Sequence, residues 1–113
     1  MIDYDGRLFH PVVEGGEETS TARYHQRQDL LWGEFSGGGV RRGSLAGTSD
    51  PDGVLDFAYC MVLESGEVVT GLCHSVPAVL DDGRIRLTEH WERFGAGASS
   101  GVSALEEIAA AGS

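Results

Sequence analysis

The sequence predicts an all-β fold, an antiparallel up-and-down meander closing into a small barrel of about eight strands. Three observations predict it. No stretch keeps apolar residues at helical spacing for three turns, whereas strand-like runs recur throughout. The pairs Asp5-Gly6, Asp52-Gly53, Ser65-Gly66 and Asp82-Gly83 each precede a β-rich run, as hairpin turns do. Every connection is short enough for antiparallel neighbours, and an open meander this long leaves two bare edges that closure removes. A split β-sandwich is the alternative.

Taken in order, the expected strands are Leu8–Val13, Ala22–Gln28, Leu30–Ser36, Val40–Thr48, Val54–Leu63, Val68–Val76, Arg84–Phe94 and Gly101–Ile108. The polar stretch Glu14–Thr21 reads as a loop, and Gly37-Gly38-Gly39 and Gly95-Ala96-Gly97 as further breaks. Ser103-Ala104-Leu105-Glu106-Glu107 fits either a strand or a short helix. Residues 109–113 read as a frayed tail.

With 113 residues the chain fits one domain, large enough to bury a core without disulfides or metal. Its 17 glycines are about twice the usual share, without a collagen-like period, and sit beside β-favouring residues. The net charge of −10 repels phosphate backbones and anionic lipid, and Arg41-Arg42 is the one basic cluster. Nucleic acid and membrane are therefore not expected partners. No apolar run approaches the ~20 residues that span a bilayer, and the start lacks a signal-peptide pattern. Cys60 and Cys73 are expected as reduced thiols in a cytoplasmic protein.

Hairpin arithmetic assigns an interior. Two-residue turns at Ser65-Gly66 and Asp82-Gly83 pair Met61 with Thr70, Tyr59 with Leu72, Phe57 with His74, and His74 with Trp91. Directly opposed residues share a face. The inner face then holds Phe57, Tyr59, Met61, Leu72, His74, Leu87, Glu89 and Trp91. The outer face holds Asp56, Arg84, Arg86, Thr88, His90 and Glu92, with an apolar strip of Cys60, Val62 and Val69 suited to a homodimer. A bulge at Pro77 would turn Cys73 and Ser75 inward in place of His74.

The candidate catalytic group is Glu89, Tyr59 and His74. A carboxyl group set between Leu87 and Trp91 is desolvated, which raises its pKa and suits acid–base work. The candidate ligand-binding residues are Phe57, Tyr59, Met61, Leu72, Leu87 and Trp91, joined by Trp32 and Glu34 from the Leu30–Ser36 strand. A self-satisfied polar network inside the barrel explains the same residues without a ligand. The four histidines lack metal-ligand spacing, and Cys73-His74 point to opposite faces, so no metal is expected. Phosphate-loop and nucleophile-elbow patterns are absent as well, and no cofactor is expected.

Gly33-Glu34-Phe35-Ser36-Gly37-Gly38, Arg42-Gly43-Ser44-Leu45-Ala46-Gly47 and Gly83-Arg84-Ile85-Arg86-Leu87-Thr88-Glu89-His90-Trp91 resemble segments of a family of small bacterial proteins with avidin- or lipocalin-like barrels. Gly71-Leu72-Cys73-His74-Ser75-Val76-Pro77 and Gly101-Val102-Ser103-Ala104-Leu105-Glu106-Glu107 fit that family too. The resemblance implies the barrel. It carries no catalytic residues, and it shifts weight from His74 to Tyr59, Glu89 and Trp91. Members are often labelled N-acetylglutamate synthase, but acyl transfer from acetyl-CoA needs a pyrophosphate loop at a helix start, and this chain has neither. The expected function is a barrel holding a small apolar or aromatic molecule. The alternatives are a cofactor-independent cyclase or isomerase using the interior carboxylate, and a homodimeric interaction module.

Overall fold

The computed structural model describes residues 2–12 and 19–108. Val13, residues 14–18 of the expected loop and the expected tail at 109–113 lie outside the described residues. The strands are β1 (Leu8–Pro11), β2 (Thr21–Arg27), β3 (Leu30–Gly37), β4 (Val40–Ser49), β5 (Leu55–Leu63), β6 (Val68–Val79), β7 (Ile85–Arg93) and β8 (Ser99–Glu107). They form one closed barrel in chain order, every neighbouring pair antiparallel. All eight expected strands are present, and the ambiguous Ser103–Glu107 segment is strand.

One end of the barrel is filled. Tyr4, Phe9, Tyr24, Leu31, Leu55 and Leu87 are fully buried there, each burial contributing roughly 1.5–3 kcal/mol. Tyr4 comes from the segment ahead of β1. Its hydroxyl donates to the Gly53 carbonyl at 2.6 Å, and its backbone N–H to Gln26 Oε1 at 2.9 Å. Its ring packs against Phe9 and Tyr24 at centroid separations of 6.3 and 6.2 Å. Residues 2–7 thus cover this end with the β4–β5 and β6–β7 turns.

The hairpin register differs from expectation. The loop after β5 has three residues, Glu64-Ser65-Gly66: Leu63 N–H donates to Glu67 O, and Gly66 N–H to Leu63 O, both at 2.9 Å. The β6–β7 loop, Asp81-Asp82-Gly83, repeats this pattern between Leu80 and Arg84. Gly66 and Gly83 have φ of +91° and +89°, the left-handed residue that closes a three-residue hairpin. One extra residue per loop slips each pairing by one and reverses β6, so Met61 faces Val69, Phe57 faces Cys73 and Cys73 faces Trp91. Because the slip occurs twice, β5 and β7 keep their expected faces. Leu72 and His74 turn outward, and Cys73 and Ser75 turn inward. Val69 also lies inside, so the expected outer strip of Cys60, Val62 and Val69 is not one surface. Pro77 causes no bulge. β5 ends opposite Ser75, leaving no β5 partner for the missing N–H of Pro77.

Five of the interior aromatics face glycines. Tyr24 pairs with Gly33, Phe35 with Gly43, Phe57 with Gly47, Tyr59 with Gly71 and Trp91 with Gly101. At Gly43 a Cβ would run into the Phe35 ring, at Gly71 it would lie 2.5 Å from Tyr59 Oη, and at Gly101 2.5 Å from the Trp91 ring. These rings therefore lie flat across the neighbouring strand instead of projecting to the barrel axis.

Closure is made by the shortest strand. β1 meets β8 through Phe9–Glu107, His10–Glu106 and Pro11–Leu105. Arg7 adds a two-pronged ion pair to Glu107 at 2.9 Å, and Arg86, paired with Glu106, ties β7 to β8.

Gly101→Ala is expected to cost about 1–3 kcal/mol, as overpacked positions do, by forcing the Trp91 ring off its strand. Gly97→Ala, where a Cβ meets nothing within 4 Å, is expected to stay within about 0.5 kcal/mol. Urea denaturation of both variants measures the difference.

Candidate functional site

The other end of the barrel is open, and a cavity of about 320 Å³ enters it between the β3–β4, β5–β6 and β7–β8 turns. Its walls are Phe35, Leu45, Phe57, Met61, Trp91 and Leu105. Their alternation along the strands aims them inward, and the glycine pairing keeps the rings against the wall. The volume falls at the lower end of the range typical of small-molecule sites.

The floor is polar. Ser75 and Glu89 are direct cross-strand partners on β6 and β7, with Cys73 two residues before Ser75 on the same face. Glu89 Oε2 accepts from the Cys73 thiol and the Ser75 hydroxyl, each at 3.3 Å, and Cys73 Sγ lies 3.4 Å from Ser75 Oγ. Burial pushes the Glu89 pKa up, and the two donated hydrogen bonds only partly offset that. Burial, reinforced by the Glu89 charge, raises the Cys73 thiol to about 12. Glu89 has no salt-bridge partner among the described residues.

Tyr24 completes the floor from β2. Its side chain is fully buried and lines the cavity, yet its hydroxyl has no hydrogen-bond partner. Burial first, then the charges of Glu89 and Cys73, raise its pKa well above the ordinary phenol value. A buried phenol left unpaired costs about 1–3 kcal/mol, so this position favours an incoming polar group.

At the rim, Tyr59 donates to the Glu92 carbonyl at 3.3 Å. The Arg93 guanidinium lies 5.5 Å from the Trp91 ring centroid and is the one cation lining the cavity among the described residues. Burial raises the Tyr59 pKa, with Arg93 acting in the opposite sense.

Of the residues expected at a site, Phe57, Tyr59, Met61, Glu89 and Trp91 line this cavity. Leu87 points inward but is fully buried in the core below it. The remaining four are on the outside. Leu72 is half exposed. His74 bonds Asp56 on the outer wall at 2.6 Å, so no His74–Glu89 pair forms. Trp32 stacks on His25, and Glu34 bonds His25 Nε2 at 2.7 Å, both on the outer face of β3. That face follows from alternation: Leu31 and Gly33 point inward, so Trp32 and Glu34 cannot. Sequence reasoning missed Tyr24, Arg93, Phe35 and Leu45, and admitted Cys73 and Ser75 only as the alternative register. The alternation of Thr21-Ala22-Arg23-Tyr24 marks Tyr24 as inward, but its place beside a strand five positions away in the chain appears only on closure.

A family model described as "Avidin-like protein" matches residues 2–108, so the match spans both the filled end and the cavity. No curated protein and no solved structure is matched.

Glu89 gives a pH signature. Burial holds its folded pKa above the ordinary glutamate value, so its contribution to stability is fully present below about pH 4.3 and is lost as pH rises through the folded value. Glu89→Gln removes that loss. The variant is expected to melt above the wild type at pH 8, with the gap closing as pH falls toward 4, in thermal melts across that range.

Proposed function

Because the chain belongs to the avidin-like protein family, we propose that it is a small-molecule-binding barrel whose cavity takes an apolar or aromatic ligand. One observation carries this reading: the barrel is filled at one end and open at the other, and the open half has aromatic walls and a single polar cluster at its floor. A barrel stabilised only by its own packing has no need of the open half. The unpartnered Tyr24 hydroxyl at the floor supports the same reading.

The raised Glu89 pKa favours a second reading, a cofactor-independent cyclase or isomerase. Glu89 would donate or take the proton, with Tyr24 or Tyr59 stabilising the charge that develops on the substrate. Glu89→Gln would then lose turnover and keep ligand affinity.

A homodimer through the outer wall now rests on a different surface. Trp32, Ala46, Ala58 and Leu72 are successive cross-strand neighbours on the outer face, with Trp32 and Leu72 38% and 50% exposed. Light scattering of the wild type is expected to show a dimer and of Leu72→Lys a monomer; a monomeric wild type ends this reading.

The binding reading is tested on a Trp32→Phe background, in which Trp91 alone reports from the cavity wall. Titration with small aromatic compounds is expected to change Trp91 fluorescence saturably and to raise the melting temperature. Leu45→Phe, which narrows the cavity from β4 without adding a second tryptophan, is expected to abolish both responses.

A further inference from the structure

We propose that the floor of the cavity is a receptor for a protonated amine, so that the ligand is an aromatic or apolar molecule led by an ammonium group held between Glu89 and the Tyr24 hydroxyl. This deepens the binding reading above and rests on it.

The hydrogen-bond inventory of the floor points to such a group. Glu89 Oε2 already takes two hydrogens, from Cys73 and Ser75. Oε1 takes none among the described residues. Arg86, three residues back on β7, points to the other face and pairs with Glu106; the nearest cation on the Glu89 face, Arg93, is four residues on, about 13 Å at a strand's rise, and is engaged with Trp91 at the rim. The floor therefore offers a free carboxylate oxygen and a free phenol oxygen, and both accept hydrogens. An ammonium group carries three hydrogens to give and accepts none. One satisfies Glu89 Oε1, a second the Tyr24 oxygen, and the rest of the head meets the faces of Tyr24, Phe57 and Trp91, which attract cations.

Charge favours the same ligand. The chain carries a net charge of −10, which draws cations toward it from solution. Folding has already buried most of the Glu89 carboxyl group, so much of its desolvation precedes binding and the incoming ammonium bears most of the remainder. A carboxylate head would instead meet the oxygens of Glu89. A neutral hydroxyl head fits sterically but leaves the buried acid without a counter-charge.

Calorimetry with three probes of one shape tests the assignment: phenethylamine, 2-phenylethanol and 3-phenylpropanoate, on the whole chain at pH 7.5. Phenethylamine is expected to bind about ten- to a hundredfold more tightly than the alcohol, as a charge-assisted hydrogen bond allows, and the carboxylate most weakly. Glu89→Gln is expected to erase the preference for the amine while retaining the alcohol, whose binding shows that the variant is folded. Tyr24→Phe is expected to weaken the amine more than the alcohol. Alcohol or carboxylate binding as tightly as the amine to the wild type overturns the inference and leaves the binding reading standing. An amine preference unchanged in Glu89→Gln overturns it as well. Binding by none of the three overturns both.

Discussion

The structure depends on aromatic rings lying across glycines of the next strand. All five pairs involve residues that line the cavity: Phe35 beside Gly43, Phe57 beside Gly47, Tyr59 beside Gly71 and Trp91 beside Gly101, with Tyr24 beside Gly33 at the floor. A Cβ at most of these glycines would displace the ring toward the axis. A small barrel whose side chains meet at the axis is solid. Laid flat, the same rings form a wall around open space. The glycine excess in the composition thus has two uses, the tight turns expected of it and the clearance that keeps the cavity open.

The two halves of the barrel divide stability from function. The filled half buries Tyr4, Phe9, Leu31, Leu55 and Leu87 with their polar groups satisfied. The open half keeps a desolvated acid, a thiol of raised pKa and an unpaired phenol within one small cluster. The desolvated acid, once ionised, and the unpaired phenol weaken the folded state in the absence of a ligand, and the packed half offsets that cost. Such a division is common where a fold reserves part of its interior for binding.

The fold was legible because turn chemistry and β-periodicity are local. All eight strands follow from runs of alternating residues and X-Gly breaks. The inward faces of β5 and β7 were also legible, though for a reason the arithmetic did not contain: each hairpin slipped by one residue, and the two slips cancelled across β6. The pairs Ser65-Gly66 and Asp82-Gly83 mark both two- and three-residue loops, so they locate a turn without fixing its register. Hence His74 and Leu72 were placed inside when Cys73 and Ser75 are there. Trp32 and Glu34 were read by residue type, whereas Leu31 and Gly33 on either side set their face. Tyr24 was beyond reach, because its meeting with Glu89 depends on the curvature and closure of the whole sheet.

The short seam between β1 and β8 has a consequence for how the molecule forms. Its ion pair joins Arg7 to Glu107, a separation of 100 residues. From β2 to β8 each strand pairs with the next through a short connection and can zip from it, with little chain entropy to lose. The seam must gather both ends of the chain for three paired residues, a backbone hydrogen bond beyond them at either end and one ion pair, so it is the natural last step, and β topologies with such distant contacts fold in milliseconds to seconds. Until that step β1 and β8 each keep a bare edge, and the cavity is open along its side where Phe9 and Pro11 should meet Leu105. A cavity that depends on both ends of the chain therefore exists only in the completed ring.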